Sequence, residues 1–304
     1  MSDRRSRRGR ATMPEAVDVR TLLAGASKRP EAPVLVVLTG PQVGQRILLE
    51  GAALIGQDPE ADLMLVGDGV DWHHATVLPR DGGWVIRGIG GERRVAVNGM
   101  PVSEILLSPD DQISIGRTVL RFELQDAVEQ AFHAAIEERL SKDDLTGLLA
   151  RRRFDLELAS AITAAARHGT ELALLVVDID GVKDVNDRHG HLVGARVITE
   201  VGRGIGALVG AGGCACRLGG DEFGVLLPGA GADEGLRLGA QVCEAIRAAT
   251  ITHDGARLPI TVSVGVAVFP GDAGDSLALL RCADEAMYAV KRAGGDAVGR
   301  HTPR

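Results

Sequence analysis

The sequence predicts two domains of different fold class: an N-terminal all-β sandwich and a C-terminal α/β domain, joined by one helix. Short β runs separated by Gly, Asn and Asp turns fill residues 33–124, whereas helices and strands alternate over residues 143–300. A helical period occupies the residues between them. A chain of 304 residues is long for one domain and sufficient for two.

The charge is unevenly distributed along the chain. The net charge is −7, and five arginines against Asp3 in the first twelve residues leave about −11 on the rest. An acidic body argues against a nucleic-acid-binding surface. We expect residues 1–32 to be a disordered basic tail with one short helix near residues 17–23. Contact of this tail with a membrane or with nucleic acid is the alternative.

The sequence predicts neither a membrane span nor a secretion signal. No apolar run approaches the roughly 18 residues that a membrane span needs, and no signal-peptide pattern follows the arginines. The four cysteines lack the CxxC spacing of a zinc site. Cys214 and Cys216 alternate as strand residues do, which predicts two small buried side chains. These features favour a cytoplasmic protein.

Six β runs carry the prediction of the sandwich. Several end at turn residues, such as Thr39-Gly-Pro41 and Asn98-Gly99. The runs cover residues 34–38, 45–49, 84–87, 94–97, 113–115 and 119–122. Strands of this length and spacing are typical of a β-sandwich.

Residues 125–142 are predicted to form a linker helix. One face collects apolar side chains, and the charged residues fall on the others. The apolar face consists of Val128, Phe132, Ala135, Ile136 and Leu140. A helix of this pattern connects the two domains and is able to pair with a copy of itself.

The region after Lys142 alternates between helical and strand patterns. Helices are predicted over residues 151–168, 192–208, 233–249 and 276–293, and strands over 172–178 and 260–268. Cys214–Leu218 and Phe223–Leu227 are predicted to form a β-hairpin. This alternation indicates an α/β domain of about 160 residues.

Carboxylates occupy two informative places in the α/β region. Asp178 and Asp180 end an apolar strand, where their charge must meet a partner or a metal. Asp221 and Glu222 follow two glycines in the hairpin turn of residues 217–223, here called the acidic turn, where glycine permits positive φ. Mg²⁺ prefers one or two carboxylates together with substrate phosphates. Each motif alone is more often a solvated turn or a strand end, whereas their co-occurrence favours a metal site.

Five sequence blocks, in order, resemble the GGDEF family of diguanylate cyclases. They are Asp143-Asp-Leu-Thr-Gly-Leu148 with Arg151-Arg-Arg-Phe154, Asp178-Ile-Asp-Gly-Val-Lys-Asp-Val-Asn-Asp-Arg-His-Gly-His191, Arg217-Leu-Gly-Gly-Asp-Glu-Phe223, Thr261-Val-Ser-Val-Gly265 and Ala283-Asp-Glu-Ala-Met-Tyr-Ala-Val-Lys291. The resemblance implies a nucleotidyl-cyclase-like fold with a central, mostly antiparallel sheet. It also implies that two copies face each other and condense two GTP into cyclic di-GMP and two pyrophosphates.

The resemblance also implies roles for individual residues. Asp221 and Glu222 would be catalytic, and Asp178, Asp221 and the Ile179 carbonyl would hold Mg²⁺ (or Mn²⁺). The substrate-binding residues implied are Gly181, Val182, Lys183, Asn186, Asp187, His191 and Lys291. Lys183, Lys291 and the amides of Gly181 and Val182 would hold phosphates, and Asn186 would contact the guanine edge. For His189 and His191, a polar position at a helix start is favoured over metal binding.

Three positions depart from the family pattern. The family usually has an Asp that pairs with guanine where this chain has Ala195, and an Arg where it has Gly295, although Arg292 is a partial substitute. The RxxD motif of the inhibitory product site is replaced by Gly210 and Gly213. We therefore expect weakened guanine recognition and no inhibitory product site.

Residues 33–124 resemble a forkhead-associated (FHA) domain, a β-sandwich that often binds phosphothreonine. The matching pieces are Leu54-Ile-Gly56, Asp62-Leu63, His74-Ala75, Asn98-Gly99 and Leu107-Ser-Pro-Asp-Asp-Gln-Ile-Ser-Ile-Gly116. The usual phosphate-binding Arg is Gln57, and the usual Ser-Arg pair is Asp71-Trp72. We expect no phosphopeptide binding, with His74 and Asn98 as remnants, and favour contact with an unknown protein partner or dimerisation.

Three functions remain open at this point. The first is a diguanylate cyclase acting as a homodimer and regulated by the FHA-like domain. The second is a catalytically weak or inactive GGDEF-like domain that binds GTP or protein partners, as Ala195 and Gly295 suggest. The third is a scaffold that acts through the sandwich. The complete set of Asp178, Asp221 and Glu222 with Lys183 and Asn186 favours the first.

Overall fold

The computed structural model describes residues 31–80, 82–89, 95–210 and 212–302. The predicted basic tail and the short helix near residues 17–23 fall almost entirely outside these ranges. None of the helices within them combines the length and apolar character that crossing a bilayer requires.

Two sheets form the N-terminal sandwich, as the sequence predicts. Within the described ranges the strand orders are β2-β1-β11-β10-β7-β8 and β4-β3-β5-β6-β9. The strands are β1 (Ala32–Val37), β2 (Arg46–Leu48), β3 (Ala53–Gly56), β4 (Leu63–Met64), β5 (Ala75–Arg80), β6 (Gly83–Gly88), β7 (Val95–Val97), β8 (Met100–Val102), β9 (Glu104–Leu107), β10 (Gln112–Ile115) and β11 (Thr118–Gln125). Alternate residues of β11 are buried, and Leu35, Ile55, Ile86 and Ile113 lie at 0% exposure in the core between the sheets.

The predicted linker helix is α1, Ala127–Leu140. It begins at Asp126, whose carboxylate accepts hydrogen bonds from the amides of Val128 and Glu129, while the Glu129 side chain accepts one from the Asp126 amide. No side chain of α1 is buried. Since Phe132 is 60% exposed, the apolar face that the sequence predicts lies open on this chain.

The α/β domain is built on a six-stranded sheet in the order β12-β14-β15-β13-β18-β19, where only the two outermost pairings are parallel. Its strands are β12 (Leu149–Ala150), β13 (Leu172–Asp180), β14 (Cys214–Gly219), β15 (Glu222–Pro228), β18 (Thr261–Phe269) and β19 (Ala297–Arg300), and β16 (Thr252–His253) pairs separately with β17 (Ala256–Arg257). The helices are α2 (Arg151–His168), α3 (Val182–His189), α4 (His191–Val209), α5 (Ala232–Ala248) and α6 (Ser276–Arg292).

Helices cover both faces of this sheet, which explains why the central strand β13 is apolar over residues 172–177. On one face Leu175 and Val177 pack against α4 and α5. On the other, Leu174 and Val176 pack against α2 and α6. The apolar packing on both faces ends toward the C-terminal end of β13, where Asp178 and Asp180 lie.

The sequence missed several short elements. Helix α3 has few apolar residues, and β3, β4, β5, β8, β9, β12, β16, β17 and β19 are short or interrupted, as β5 is by Pro79. Cys216 is buried as predicted, and burial raises the pKa of its thiol. The prediction for Cys214 was wrong in degree, because this residue is only half-buried; burial still raises its pKa to about 11.

Candidate active site

The acidic turn brings its two carboxylates to the end of the central strand. Gly220 has φ +53, a conformation that glycine adopts at little cost, and it lets β14 reverse into β15. The Ile179 amide donates to the Asp221 carbonyl at 3.3 Å. Glu222 lies directly opposite Asp178 in the antiparallel register of β13 and β15. The structure therefore places Asp178, Asp221 and Glu222 side by side.

Asp178 has a basic partner on α6. It is 6% exposed, and the Lys291 Nζ donates a hydrogen bond to its carboxylate. Burial raises the pKa of Asp178, and the like charges of Asp221 and Asp180 add to that effect against the opposing influence of Lys291. Burial acts to lower the pKa of Lys291, but the hydrogen bond and charge of Asp178 outweigh it and raise that pKa.

Glu222 is the second perturbed carboxyl group. Burial raises its pKa first, followed by the negative charges of Asp178, Asp284 and Asp221. Asp284 lies on α6 seven residues before Lys291, so the two share a helix face. Sequence reasoning missed Asp284, although this two-turn spacing from Lys291 is visible in the sequence.

These residues fit a magnesium ion with an incomplete protein ligand set. Clustered carboxylates repel one another, and a divalent cation would relieve that repulsion. The described residues contain no group of three or more His, Cys, Asp or Glu arranged to hold a metal. Two carboxylates and the Ile179 carbonyl leave further positions for phosphate oxygens, as Mg²⁺ sites with nucleotides require.

The predicted phosphate-binding segment follows the same strand end. Gly181, with φ +73, turns the chain directly from β13 into α3. No side chain caps the start of α3, so its first amides point out of the helix without intrahelical partners. Val182 is buried and anchors this start, whereas Lys183 is exposed. The arrangement is suited to anions.

Asn186 points from α3 to the start of α4. A Cβ placed on Gly194 would lie 2.0 Å from the Asn186 Oδ1, so this amide packs directly on the Gly194 backbone, beside Ala195. The other predicted binding residues of this region, Asp187 and His191, are exposed. Leu192, which the sequence analysis did not single out, is 89% exposed at the first turn of α4.

The His189 ring contacts another histidine. Its centroid is 5.3 Å from that of His253 in an edge-to-face contact. The preferred prediction of a helix-start position was wrong for His189, which is the last residue of α3, whereas His191 is the first residue of α4.

Asp180 has a structural role. Its carboxylate accepts hydrogen bonds from the Thr261 hydroxyl at 2.7 Å, the Ser263 hydroxyl at 2.6 Å and the Asp296 amide at 3.0 Å. A Cβ at Gly295 would lie 3.0 Å from this carboxylate, and Gly295 has φ +73. A larger residue at 295 would therefore be strained in this turn, and glycine fits it.

Arg217 fastens the acidic turn to the segment that follows the linker helix. Its Nε and Nη2 donate to the Gly220 carbonyl at 2.9 and 2.7 Å, and its Nη1 donates to Asp143 at 3.2 Å. Asp143 in turn accepts hydrogen bonds from the amide and hydroxyl of Thr146. A displacement of Asp143 would therefore be transmitted to the acidic turn through the Arg217 guanidinium group.

The sandwich contacts the α/β domain through a second buried aspartate. The Arg167 Nη1, at the end of α2, lies 3.2 Å from both Asp58 oxygens, and its guanidinium lies 4.5 Å from the centroid of the Trp72 ring. The His73 Nε2 is 2.8 Å from Asp58. We call this group the docking contact. A hydrogen bond from the Glu60 amide, then His73 and Arg167, lower the pKa of Asp58 to about 2.

The two remnant residues of the FHA-like region serve the sandwich itself. His74 is 1% exposed, and its Nδ1 accepts a hydrogen bond from the Asp71 amide at 3.0 Å. The Asn98 side chain accepts from the Gln112 amide at 2.9 Å and donates to Asp111 at 2.8 Å. Both side chains therefore hold loops of the sandwich together, and the absence of phosphopeptide binding stays a prediction.

Two family models match separate parts of the chain. The family described as "Diguanylate cyclase, GGDEF domain" matches residues 140–297. The family described as "Inner membrane component of T3SS, cytoplasmic domain" matches residues 36–126. The first match covers more than half of the chain and contains the carboxylate cluster.

Individual relatives match the same C-terminal half. An uncharacterized signaling protein of Caulobacter vibrioides is 38% identical over 155 residues, which are 50% of this chain and 19% of the relative. Diguanylate cyclase TpbB of Pseudomonas aeruginosa is 35% identical over 161 residues, or 53% of this chain and 37% of the relative. The chain thus spans well under half the length of these two curated relatives.

A solved structure shares the fold of this half. The coiled coil and GGDEF domain of DgcB from Caulobacter crescentus, crystallised in complex with c-di-GMP, superposes with a TM-score of 0.52 at 32% identity. The match covers 57% of this chain and 93% of that one.

Proposed function

The chain belongs to the diguanylate cyclase GGDEF-domain family, and we propose that it condenses two GTP into cyclic di-GMP with release of two pyrophosphates. The observation that carries this proposal is the convergence of Asp178, Asp221 and Glu222 at one strand end, with Lys291 beside them. In each half-reaction the 3′-oxygen of one GTP forms a bond to the α-phosphorus of the other. The bond from that phosphorus to the pyrophosphate oxygen breaks, and the hydroxyl proton passes to a base.

The carboxylates divide between charge neutralisation and proton handling. We assign Asp178, Asp221 and the Ile179 carbonyl to Mg²⁺ (or Mn²⁺), which when bound neutralises phosphate charge and acidifies the attacking hydroxyl. Glu222 lies beside these ligands, and burial and its acidic neighbours raise its pKa. A carboxylate of raised pKa accepts a proton more readily, so Glu222 is assigned to the 3′-hydroxyl proton.

The phosphates are assigned to the start of α3 and to two lysines. The amides of Gly181 and Val182 lie at an uncapped helix start, where the helix dipole also favours negative charge. Lys183 supplies a positive charge beside them. Lys291 donates a hydrogen bond to Asp178. With a metal ion bound to that carboxylate, the Lys291 ammonium group would bind a phosphate oxygen instead.

The base is assigned to the space between α3 and α4. Asn186 is held against Gly194, and Asp187, His191 and Leu192 border the same surface. Ala195 brings no carboxylate to pair with the guanine N–H groups. We therefore propose a cyclase with intact phosphate chemistry and reduced selection for guanine over adenine.

The second candidate function is a domain that binds GTP or a protein partner with little or no turnover. Ala195 favours it, because a weakly held base lowers the fraction of correctly positioned substrate. The two candidates differ in one observable, the amount of cyclic di-GMP formed at saturating GTP.

The reaction requires two substrate molecules that face each other, and the site assigned to one chain would hold one of them. We propose a homodimer as the active form. The open apolar face of α1, with Phe132 and Leu140 60% and 69% exposed, supports pairing through the linker helix.

The sandwich is proposed to regulate the cyclase by protein contact within a cytoplasmic protein. Its loops at residues 58 and 72–73 hold Arg167 of α2, so a basic side chain occupies the loops that bind a phosphate in the family it resembles. A protein partner that competes for the docking contact would release α2 from the sandwich.

The proposal is tested by incubating the purified chain with GTP and Mg²⁺ and quantifying cyclic di-GMP by liquid chromatography. We expect product from the wild-type chain, a rate per chain that rises with protein concentration, and no product from Asp221→Ala. Glu244→Ala, which removes an exposed carboxylate from α5, is the matched control and retains the wild-type rate. Absence of product at every protein concentration would leave the second candidate function.

A further inference from the structure

A cavity of about 320 Å³ lies where the sandwich, the linker helix and the α/β domain meet. Its walls are the turn between β1 and β2, one side of α1 and the first turns of α2. We call it the junction cavity. It is remote in sequence from every residue of the carboxylate cluster, and it falls in the size range of small-molecule sites.

One wall carries buried polar atoms that lack partners. Gln42 is 1% exposed, and within the described part of the chain neither its amide nitrogen nor its amide oxygen has a hydrogen-bond partner. The Arg46 Nη1 is likewise buried without a hydrogen-bond partner among the described residues, whereas the Arg46 Nη2 donates to the Glu123 carboxylate at 3.2 Å. Because a buried polar group without a partner is destabilising, native structures normally supply one.

The opposite wall carries a guanidinium group that is not committed elsewhere. Arg152 has no ion pair or hydrogen bond among the described residues, and its Nη2 lies 3.8 Å from the Cβ position of Gly44, at the turn between β1 and β2. The neighbouring Arg153 is paired with Glu157. Since Arg46 is already paired with Glu123, Arg152 supplies the positive charge that makes the cavity attractive to an anion.

The remaining lining favours a monoanion with an apolar body. Ile136 and Leu140 of α1 and Leu156 of α2 present aliphatic surface to the cavity. Glu137 also lines it, and its charge would repel a dianion such as phosphate more strongly than a carboxylate.

We propose that the junction cavity binds a small amphiphilic carboxylate. The carboxylate oxygens accept hydrogen bonds from Arg46, Arg152 and the Gln42 amide nitrogen, which use three of the roughly four acceptor positions of such a group. A hydroxyl on the neighbouring carbon donates to the Gln42 amide oxygen. The apolar body packs on Ile136 and Leu140.

Ligand binding in the junction cavity would depend on how the sandwich, the linker helix and the α/β domain are arranged. Three separately folded parts line the cavity, so a ligand that contacts all three favours the arrangement in which they meet. The inference concerns binding alone and does not depend on GTP turnover.

The test uses the full-length chain with phenylacetate, mandelate, phenylacetamide and inorganic phosphate as probes, followed by thermal shift and calorimetry. We expect phenylacetate and mandelate to bind saturably, with mandelate the tighter because of its hydroxyl group. Phenylacetamide, which lacks the charge, should bind at least about tenfold more weakly. Tighter binding of phosphate than of either carboxylate, or no saturable binding by a carboxylate, contradicts the proposal.

Two variants locate the site. Arg152→Gln changes an exposed side chain, so it should keep the fold and weaken phenylacetate at least about tenfold, whereas Arg281→Gln on α6, 72% exposed, should leave binding unchanged. Gln42→Met keeps the side-chain volume and removes the unpartnered atoms. It should raise the melting temperature of the free chain and abolish the advantage of mandelate. A lower melting temperature, or unchanged probe binding in both variants, overturns the assignment.

Discussion

Two aspartates of this chain are equally buried, each has a basic partner on a helix, and their pKa values shift in opposite directions. Asp178 is 6% exposed and bonds Lys291, and its pKa is raised. Asp58 is 5% exposed and bonds Arg167, and its pKa falls to about 2. Burial is the largest influence on the pKa of Asp178, whereas at Asp58 the hydrogen bond from the Glu60 amide outweighs burial. Asp178 faces two further carboxylates, whereas Asp58 receives a backbone amide and His73.

This contrast distinguishes an aspartate whose surroundings oppose its charged form from one whose surroundings stabilise it. Around Asp58 every strong neighbour stabilises the charged form, so nothing is gained by adding a cation. Around Asp178 the acidic neighbours oppose ionisation, and a divalent cation would reverse that balance. Burial together with clustered like charge therefore marks the reactive end of the central strand.

The largest effect is expected at the carboxylate cluster. Glu222→Gln removes the proposed proton acceptor with almost no change of shape, and turnover of GTP should fall about 10²- to 10⁴-fold. The rate of cyclic di-GMP formation checks this, with Glu244→Gln on the exposed side of α5 as the control. If Glu222→Gln retained near wild-type turnover, the assignment of the proton acceptor to Glu222 would be wrong.

Base recognition should give the next effect. Ala195→Asp restores a carboxylate beside Asn186, and one added pair of hydrogen bonds should raise the preference for GTP over ATP about ten- to a hundredfold. Competition between the two nucleotides for binding measures this. An unchanged preference would show that the base does not lie between α3 and α4.

The docking contact gives a pH-dependent effect of smaller size. Because the folded pKa of Asp58 lies below its ordinary value of 3.8, the stabilisation from its charged form is complete above pH 3.8 and disappears as the pH falls through about 2. In a Trp84→Phe background, the fluorescence of Trp72 should therefore change over this window.

The control for that titration is Asp58→Asn. It should show the released fluorescence already at neutral pH and no transition between pH 4 and pH 2. A transition of wild-type size in Asp58→Asn would assign the change to another group and remove Asp58 from the comparison.

The smallest effect is expected from the product. Gly210 and Gly213 occupy the positions where the inhibitory motif of the family would lie, so added cyclic di-GMP should not slow initial rates beyond competition at the active site. Non-competitive inhibition by cyclic di-GMP, abolished by substitutions around Gly210, would contradict this.

The sequence predicted those features that depend on neighbouring residues. Period and apolar runs located the sandwich, the linker helix and the main elements of the α/β domain, because β13 and the long helices have strong patterns. The Gly-Gly pair located the acidic turn, since only a special backbone conformation explains it.

What the sequence missed depends on residues far apart in the chain. The partners of Asp180 lie more than 80 residues away, and Arg167 is 109 residues from Asp58. Gln57 and Trp72 predict that a phosphate site is lost, and nothing in the sequence showed that Arg167 of α2 contacts the same loops. The role of Gly295 likewise required the backbone conformation around Asp180.

The most direct test compares Asp178→Asn with Asp58→Asn in the full-length chain, by the amount of cyclic di-GMP formed from GTP and Mg²⁺. Asp178→Asn should form no product at any protein concentration while retaining its fold by circular dichroism, and Asp58→Asn should still form product. Product from Asp178→Asn, or its complete absence from a folded Asp58→Asn chain, would contradict the assignment of the reaction to the end of the central strand.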